Sequence, residues 1–180
     1  MHYLTKFYNK NLKYELINKF TYNKTNTIPQ LKKIILNFGC KTADLKQLSS
    51  SLLALEFITN KRGFMTKTKK SNILFKIRKG NPTGCKVVLS KFSAYNFMSK
   101  LITEIFPKLK NFSEYYSYKK MKKNAFSYNL HETFTFKELE NHYYLFNNLS
   151  KLNITIVTNT KNKEEMIFLL KSLQLPIGSK

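Results

Sequence analysis

Between Glu56 and Glu104 the chain carries eleven lysines and arginines and no acid, among them Lys67, Lys69, Lys70, Lys76, Arg78 and Lys79. Cations spaced this closely without counter-charge do one kind of chemistry well: they neutralise phosphates. The whole chain holds 30 Lys and only 2 Arg. Lysine is a point charge that suits backbone phosphates, whereas bidentate reading of base edges needs the arginine fork. A second acid-free stretch, Leu16 to Ala43, adds Lys19, Lys24, Lys32, Lys33 and Lys41, while Glu132, Glu138, Glu140, Glu164 and Glu165 collect further on. The asymmetry predicts a directed cationic face, the alternative being an evenly basic surface.

Other chemistries are poorly supplied. The single aspartate, Asp44, reads as a helix cap, so a paired-carboxylate metal site of the nuclease kind lacks its second member. Glu138 and Glu140 read as solvated surface. His131 and His142 have no cysteine or carboxylate at ligand spacing, and Cys40 and Cys85 have no CxxC partner. Neither zinc nor any other metal is therefore expected, and both thiols read as reduced and buried. The stretch from Gly80 to Gly84 lacks the Lys-Ser/Thr ending of a P-loop. A binding protein follows, with no enzymatic activity and no cofactor.

A net charge of +22 on 180 residues, with 42% hydrophobic side chains, describes a folded protein whose surface wants a polyanion. If about six to ten of these cations meet phosphates, affinity falls by roughly 10³ to 10⁵ between about 50 and 200 mM salt. Tyr115, Tyr116 and Tyr118 offer rings for bases, although such residues more often serve as partly buried packing. No apolar run approaches a membrane span, and the N-terminus shows neither a signal core nor an Arg- and Ser-rich transit pattern. The expectation is a soluble protein without a membrane partner, made where it works. Nineteen Asn and 30 Lys beside four Ala suggest an A/T-rich coding sequence, as in mitochondria, plastids or reduced bacterial genomes.

Several elements must position these residues. Leu4, Tyr8, Leu12, Leu16 and Phe20 recur every fourth position and predict a helix over residues 3–20. A polar linker, 21–29, leads to a strand, 31–38. Asp44 with Gln47 forms a capping box for a helix that buries Leu45, Leu48, Leu52 and Leu55. Three strands follow, 64–68, 73–79 and 85–90, the last two joined by Gly80-Asn81-Pro82-Thr83-Gly84. In the middle one Ile73, Phe75 and Ile77 face the core, Lys76 and Arg78 the other way. Ala94, Phe97, Met98, Leu101, Ile102 and Ile105 mark a helix ending at Pro107. Residues 108–125 read as a loop, and 128–139 as a strand with Phe134 and Phe136 inward of Thr133 and Thr135. A strand, 152–158, precedes a helix with an Asn162/Glu165 capping box and buried Met166, Leu169, Leu170 and Leu173, stopped by Pro176. The order predicts one α+β domain over residues 1–180, with residues 1–27 as N-terminal helix and linker. Its largely antiparallel sheet has helices packed on one face and carries a long basic hairpin.

The segments Lys67-Thr68-Lys69-Lys70-Ser71 and Phe75-Lys76-Ile77-Arg78-Lys79-Gly80-Asn81-Pro82-Thr83-Gly84-Cys85-Lys86-Val87 resemble the signature hairpin of the universal L-five family of large-subunit ribosomal proteins. The likeness continues at Ile28-Pro29, at 33–39, at Ser127, Glu132 and Phe136, and at 153–158 with Glu164-Glu165. It implies a protein of the central protuberance whose sheet binds 5S rRNA and adjacent large-subunit rRNA. It also implies a hairpin tip on P-site tRNA, neighbouring ribosomal proteins, and a bridge to the small-subunit head. By matching position, Lys33, Asn37, Lys67, Lys69, Lys70 and Ser71 would contact rRNA, joined by Lys76 and Arg78. Lys79, Gly80, Asn81, Pro82, Thr83 and Gly84 would face tRNA. Two departures stand out: Ile73-Leu74 where the family has small residues, and Lys122 to Ala125 where it has glycines. With the composition, the resemblance implies a mitochondrial ribosome, organelle-encoded, ahead of a plastid or an A/T-rich bacterium. In some mitochondrial ribosomes 5S rRNA is absent. The competing readings are an intron-encoded maturase or endonuclease and an organellar RNA-binding chaperone.

Overall fold

The computed structural model describes residues 3–40, 44–109 and 121–175. Five strands, β1 (Leu31–Gly39), β2 (Phe64–Lys67), β3 (Pro82–Ser90), β4 (Ala125–Leu130) and β5 (Leu152–Thr158), form one sheet in the order β2-β3-β1-β5-β4. β2 pairs antiparallel with β3, Phe64 opposite Lys86 and Thr66 opposite Gly84, with a register irregularity between Thr66 and Lys67. On one side of the strands Ile34, Leu36, Phe38, Cys85, Val87, Leu89, Ile154 and Ile156 are buried. Their neighbours in sequence, such as Asn37, Val88, Asn153 and Thr155, are only half-buried. This alternation is what a sheet with helices on one face requires. The α+β architecture matches the expectation.

By contacts the chain groups into two compact units, each made of separated segments. The first comprises Met1–Ile34, Leu89–Tyr128 and Thr155–Lys180. Its leading helix, α1, runs from Tyr3–Phe7 through a π-turn, Tyr8–Leu12, to Lys13–Lys19. The π-turn has a physical reason. An apolar stripe at strict four-residue spacing drifts by about 40° per step on an α-helix, and one wide turn takes up the surplus. Leu4, Tyr8, Leu12 and Leu16 are all buried as a result. Tyr8, Leu12 and Leu16 form a core with Ile28, Leu169 and Leu173, flanked by half-buried Phe20, Tyr22 and Phe168. The Tyr8 hydroxyl donates to the Pro29 carbonyl at 2.8 Å, and burial raises its pKa. In the same unit α3 (Phe92–Lys100) continues through a second π-turn, Leu101–Ile105, and a 3-10 turn, Phe106–Lys108. Helix α5 (Lys163–Ser172) buries Met166, Leu169 and Leu170, with Leu173 just beyond it, all four as expected. Its expected capping box is not made: Asn162 makes no side-chain cap, and Glu165 accepts from the amide of Lys161, one residue before the cap, at 3.1 Å.

The second unit comprises Ile35–Val88 and Asn129–Ile154. Helix α2 (Leu45–Thr59) starts at Asp44, whose carboxylate accepts from the Lys46 amide at 3.0 Å. Gln47 does not return the bond; its amide donates to the Asn148 carbonyl instead, at 3.1 Å. Leu45 is 69% exposed, and the buried face runs Leu48, Ser51, Ala54, Leu55 and Ile58. The expected face was thus rotated, because Leu45 lies at the first turn before the helix meets its neighbours. Both cysteines are free and buried. The Cys85 thiol donates to the Leu48 carbonyl at 3.9 Å, and burial, with Cys40 beside it, pushes its pKa to about 12.

Two expected strands are corrected. Residues 73–79 form no strand; Ile73 to Lys76 make a turn closed by a bridge between Asn72 and Ile77. The alternation of Ile73, Phe75 and Ile77 has no neighbouring strand to pair with, since β2 already pairs with β3. Beyond β4, Thr133–Thr135 is a 3-10 turn, followed by the short helix α4 (Lys137–Glu140). Phe136 is buried, but so are Thr133 and Thr135, while Phe134 is only half-buried, because a three-residue turn does not alternate faces. His142 packs edge-on against Phe57, 5.4 Å between ring centroids. Most of the expected loop 108–125, with Tyr115, Tyr116 and Tyr118, and also Pro176, lie outside the described residues.

Candidate nucleic-acid interface

β2 and β3 are joined by residues 68–81, which are closed in two tiers. At the base, the Thr68 amide donates to the Asn81 carbonyl at 2.9 Å, and the Gly80 amide donates to the Thr68 carbonyl at 3.0 Å. The Thr68 hydroxyl reaches the Arg78 carbonyl at 2.9 Å and that of Asn81 at 3.2 Å. Gly80 has φ +91°, a conformation open to glycine at little cost. Further out, Asn72 and Ile77 exchange main-chain bonds of 2.8 and 2.9 Å, the Lys76 amide donates to the Ile73 carbonyl at 3.0 Å, and the Asn72 side chain accepts from the Leu74 amide at 3.1 Å. A fourteen-residue excursion becomes two short closures.

Along this frame Lys67, Lys69, Lys70, Ser71, Lys76, Arg78 and Lys79 are all exposed. With no acid between Glu56 and Glu104 in the sequence, their potentials add. Lys61 is differently employed: its ammonium donates to the Val88 carbonyl at 3.1 Å.

The sheet side opposite the buried residues is mostly neutral, mixing amides and hydroxyls with half-buried Ile35, Val88 and Val157. In the second unit it presents Asn37 and Lys86, with Asn153 donating to Asn129 at 2.6 Å. In the first unit Lys33 is half-buried, and the Ser127 and Thr155 hydroxyls lie 3.1 Å apart. The expected directed cationic face is therefore centred on the loop: most of its expected cations sit there, and β1 and β3 add only Lys33 and Lys86 to this side, among neutral side chains. Asn37 and the loop residues belong to one unit, whereas Lys33 belongs to the other.

The expected tip is corrected as well. Pro82, Thr83 and Gly84 are in β3, not in a connecting loop, and Lys79, Gly80 and Asn81 sit at the base of the excursion. Gly84 is required by close approach: a Cβ there would lie 2.7 Å from the Phe38 carbonyl oxygen and 2.9 Å from the Thr66 hydroxyl. What sequence reasoning missed is the turn itself, Ile73-Leu74-Phe75, exposed at 92%, 90% and 51%. An asparagine at the head of three apolar residues and a lysine was the available signal, since Asn side chains close such turns. Among the described residues no three His, Cys, Asp or Glu side chains gather into a metal-holding group, and no helix is long and apolar enough to cross a membrane.

A family model for the C-terminus of the ribosomal L5 family matches residues 82–177. The chain is 38% identical over 182 residues to the large ribosomal subunit protein uL5m of Reclinomonas americana, covering all of both chains. It is 35% identical to uL5c of Stigeoclonium helveticum, over 98% of each, and 34% identical to uL5 of Geotalea daltonii, over 96% of this chain and 97% of that one. The chain belongs to the ribosomal L5 family. The matched family segment begins at β3, so the two-tier loop lies before it, within the part that the full-length L5 relatives cover.

Proposed function

We propose that this L5 protein is a structural constituent of the large subunit of an organellar ribosome, with its second unit as the rRNA-binding surface. The observation that carries the reading is the loop of 68–81, closed by main-chain bonds at both tiers, bordered and studded by exposed cations, and free of acids. Lys67, Lys69, Lys70, Ser71, Lys76 and Arg78 meet phosphate and ribose in this reading, and Asn37 with the Asn129/Asn153 pair offers neutral donors and acceptors to 2′-hydroxyls. Lys33 adds a charge on the sheet of the first unit. The partners are large-subunit rRNA, 5S rRNA where the ribosome has it, neighbouring ribosomal proteins, and the small-subunit head. Because the turn is at Ile73–Lys76, we assign P-site tRNA to the outer tier, with Lys79, Gly80 and Asn81 supporting it from the base. The uL5m relative supports a mitochondrial ribosome, and the uL5c relative keeps a plastid in play.

Sedimentation tests the reading. Tagged full-length chain should run with large ribosomal subunits in moderate salt, and its release should steepen with salt as phosphate contacts dictate. A chain that stays at the top of the gradient and binds assorted RNAs equally would be an RNA chaperone, and Mg²⁺-dependent cleavage of intron RNA or DNA would make it a maturase or endonuclease.

A further inference from the structure

We propose that the turn Ile73-Leu74-Phe75 is an apolar wedge that seats on unstacked nucleobases of folded RNA while the surrounding lysines hold the backbone. The inference rests on the RNA-binding reading above and adds to it what the tip recognises. Ile73 and Leu74 are exposed at 92% and 90%, close to the limit for any side chain, in a protein with 42 charged residues (32 basic and 10 acidic) available for its surface. They are also held in place. The two Asn72–Ile77 bonds, the Lys76–Ile73 bond and the Asn72 side chain fix the turn, and Lys76 takes φ +52° to complete it. A fixed apolar point loses little conformational freedom when it docks.

Charge selects the occupant. From Lys67 to Lys79 there are six cations and no acid, so whatever covers the tip must supply negative charge on both sides of a flat apolar surface. Folded RNA has that pattern, since splayed bases present apolar faces between phosphates. Apolar side chains that enter base stacks are a known device of nucleic-acid binding, Ile, Leu and Phe among them.

The test compares the full chain with Ile73→Ser/Leu74→Ser and with Lys69→Glu/Lys70→Glu. Two RNA probes are used: a stem-loop with 2-aminopurine in its loop, and a fully paired duplex of equal length with 2-aminopurine in a pair. Phosphatidylglycerol vesicles are the third probe. The serine pair should weaken stem-loop binding by about tenfold to a hundredfold, abolish the 2-aminopurine response, and leave duplex binding and the salt slope as they were. The glutamate pair should lower the salt slope on both RNAs by about two. Circular dichroism of both variants should match the parent, because all four side chains are exposed. If the serine pair binds the stem-loop like the parent with the same fluorescence response, the wedge is overturned and the RNA reading stands. If the parent binds neither RNA, the RNA reading itself fails. If the serine pair loses only vesicle binding, the tip is a lipid contact and the wedge is again overturned.

Discussion

Thr68 fastens to Asn81 through both its main chain and its side chain: the amide donates to the Asn81 carbonyl at 2.9 Å and the hydroxyl lies 3.2 Å from the same oxygen. The hydroxyl is also 2.9 Å from the Arg78 carbonyl, so one side chain gathers the returning strand of the loop. Ordering a long loop is costly in entropy, and a clasp at its base divides that cost into two shorter closures.

Thr68→Val keeps the shape and removes the hydroxyl. The Gly80 and Asn81 amides should then exchange with deuterium faster, while the urea midpoint of the whole protein moves little, since the loop lies outside the core. Hydrogen-exchange mass spectrometry on the full chain reads both. Unchanged exchange in 69–81 would show that the main-chain bonds suffice.

Gly84→Ala should destabilise by about 1–3 kcal/mol, the usual range for overpacking. The added methyl meets the Phe38 carbonyl at 2.7 Å, and neither main chain can withdraw without disturbing the β3–β1 approach that also holds Cys40 to Thr83 at 2.9 Å. Gly39→Ala is the control, with nothing within 4 Å of its Cβ. Urea unfolding of the pair should separate them clearly; equal midpoints would refute the packing argument.

Reversing Lys69 and Lys70 to Glu should weaken association with the large subunit without loss of the fold. Each lost phosphate contact lowers the salt slope by roughly one. Sedimentation at several salt concentrations measures the slope, and a circular dichroism spectrum that collapsed would refute the exposed placement of both side chains.

Burial holds the Cys85 thiol at about 12, against an ordinary value near 9, the nearby Cys40 adding to the shift. The native thiol therefore stays protonated where the unfolded one ionises. Stability from this group is complete below about pH 9 and is lost as pH rises from there toward 12. Iodoacetamide at about pH 8, where an ordinary thiol is partly ionised, should leave Cys85 intact in the native protein and alkylate it in urea; rapid native labelling would contradict the burial.

Much of the fold was legible because its periodicities are local. The strand at 152–158 and the buried set of Met166, Leu169, Leu170 and Leu173 followed from spacing alone. The misread parts are those where pairing decides. Ile73, Phe75 and Ile77 alternate as a strand should, yet β3 is taken by β2 and β1, so the segment turns back on itself and exposes Ile73, Leu74 and Phe75. Phe134 failed for a similar reason, a 3-10 turn replacing the strand, while Phe136 just after it is buried as expected. The cationic residues of the loop were found from charge, which needs no tertiary context, but their placement around an apolar turn was not, because a hydrophobic triplet reads as core until its neighbours are known.

The register irregularity between Thr66 and Lys67 has a consequence for the molecule before assembly. β2 is an outer strand of only four residues, and the side of it left unpaired among the described residues would invite a second copy of the chain to add on. The irregularity bends that border out of line and brings in a lysine where a newcomer would have to align. A border so interrupted is a poor template for a second copy of the chain, which matters for a protein that exists free before it is bound.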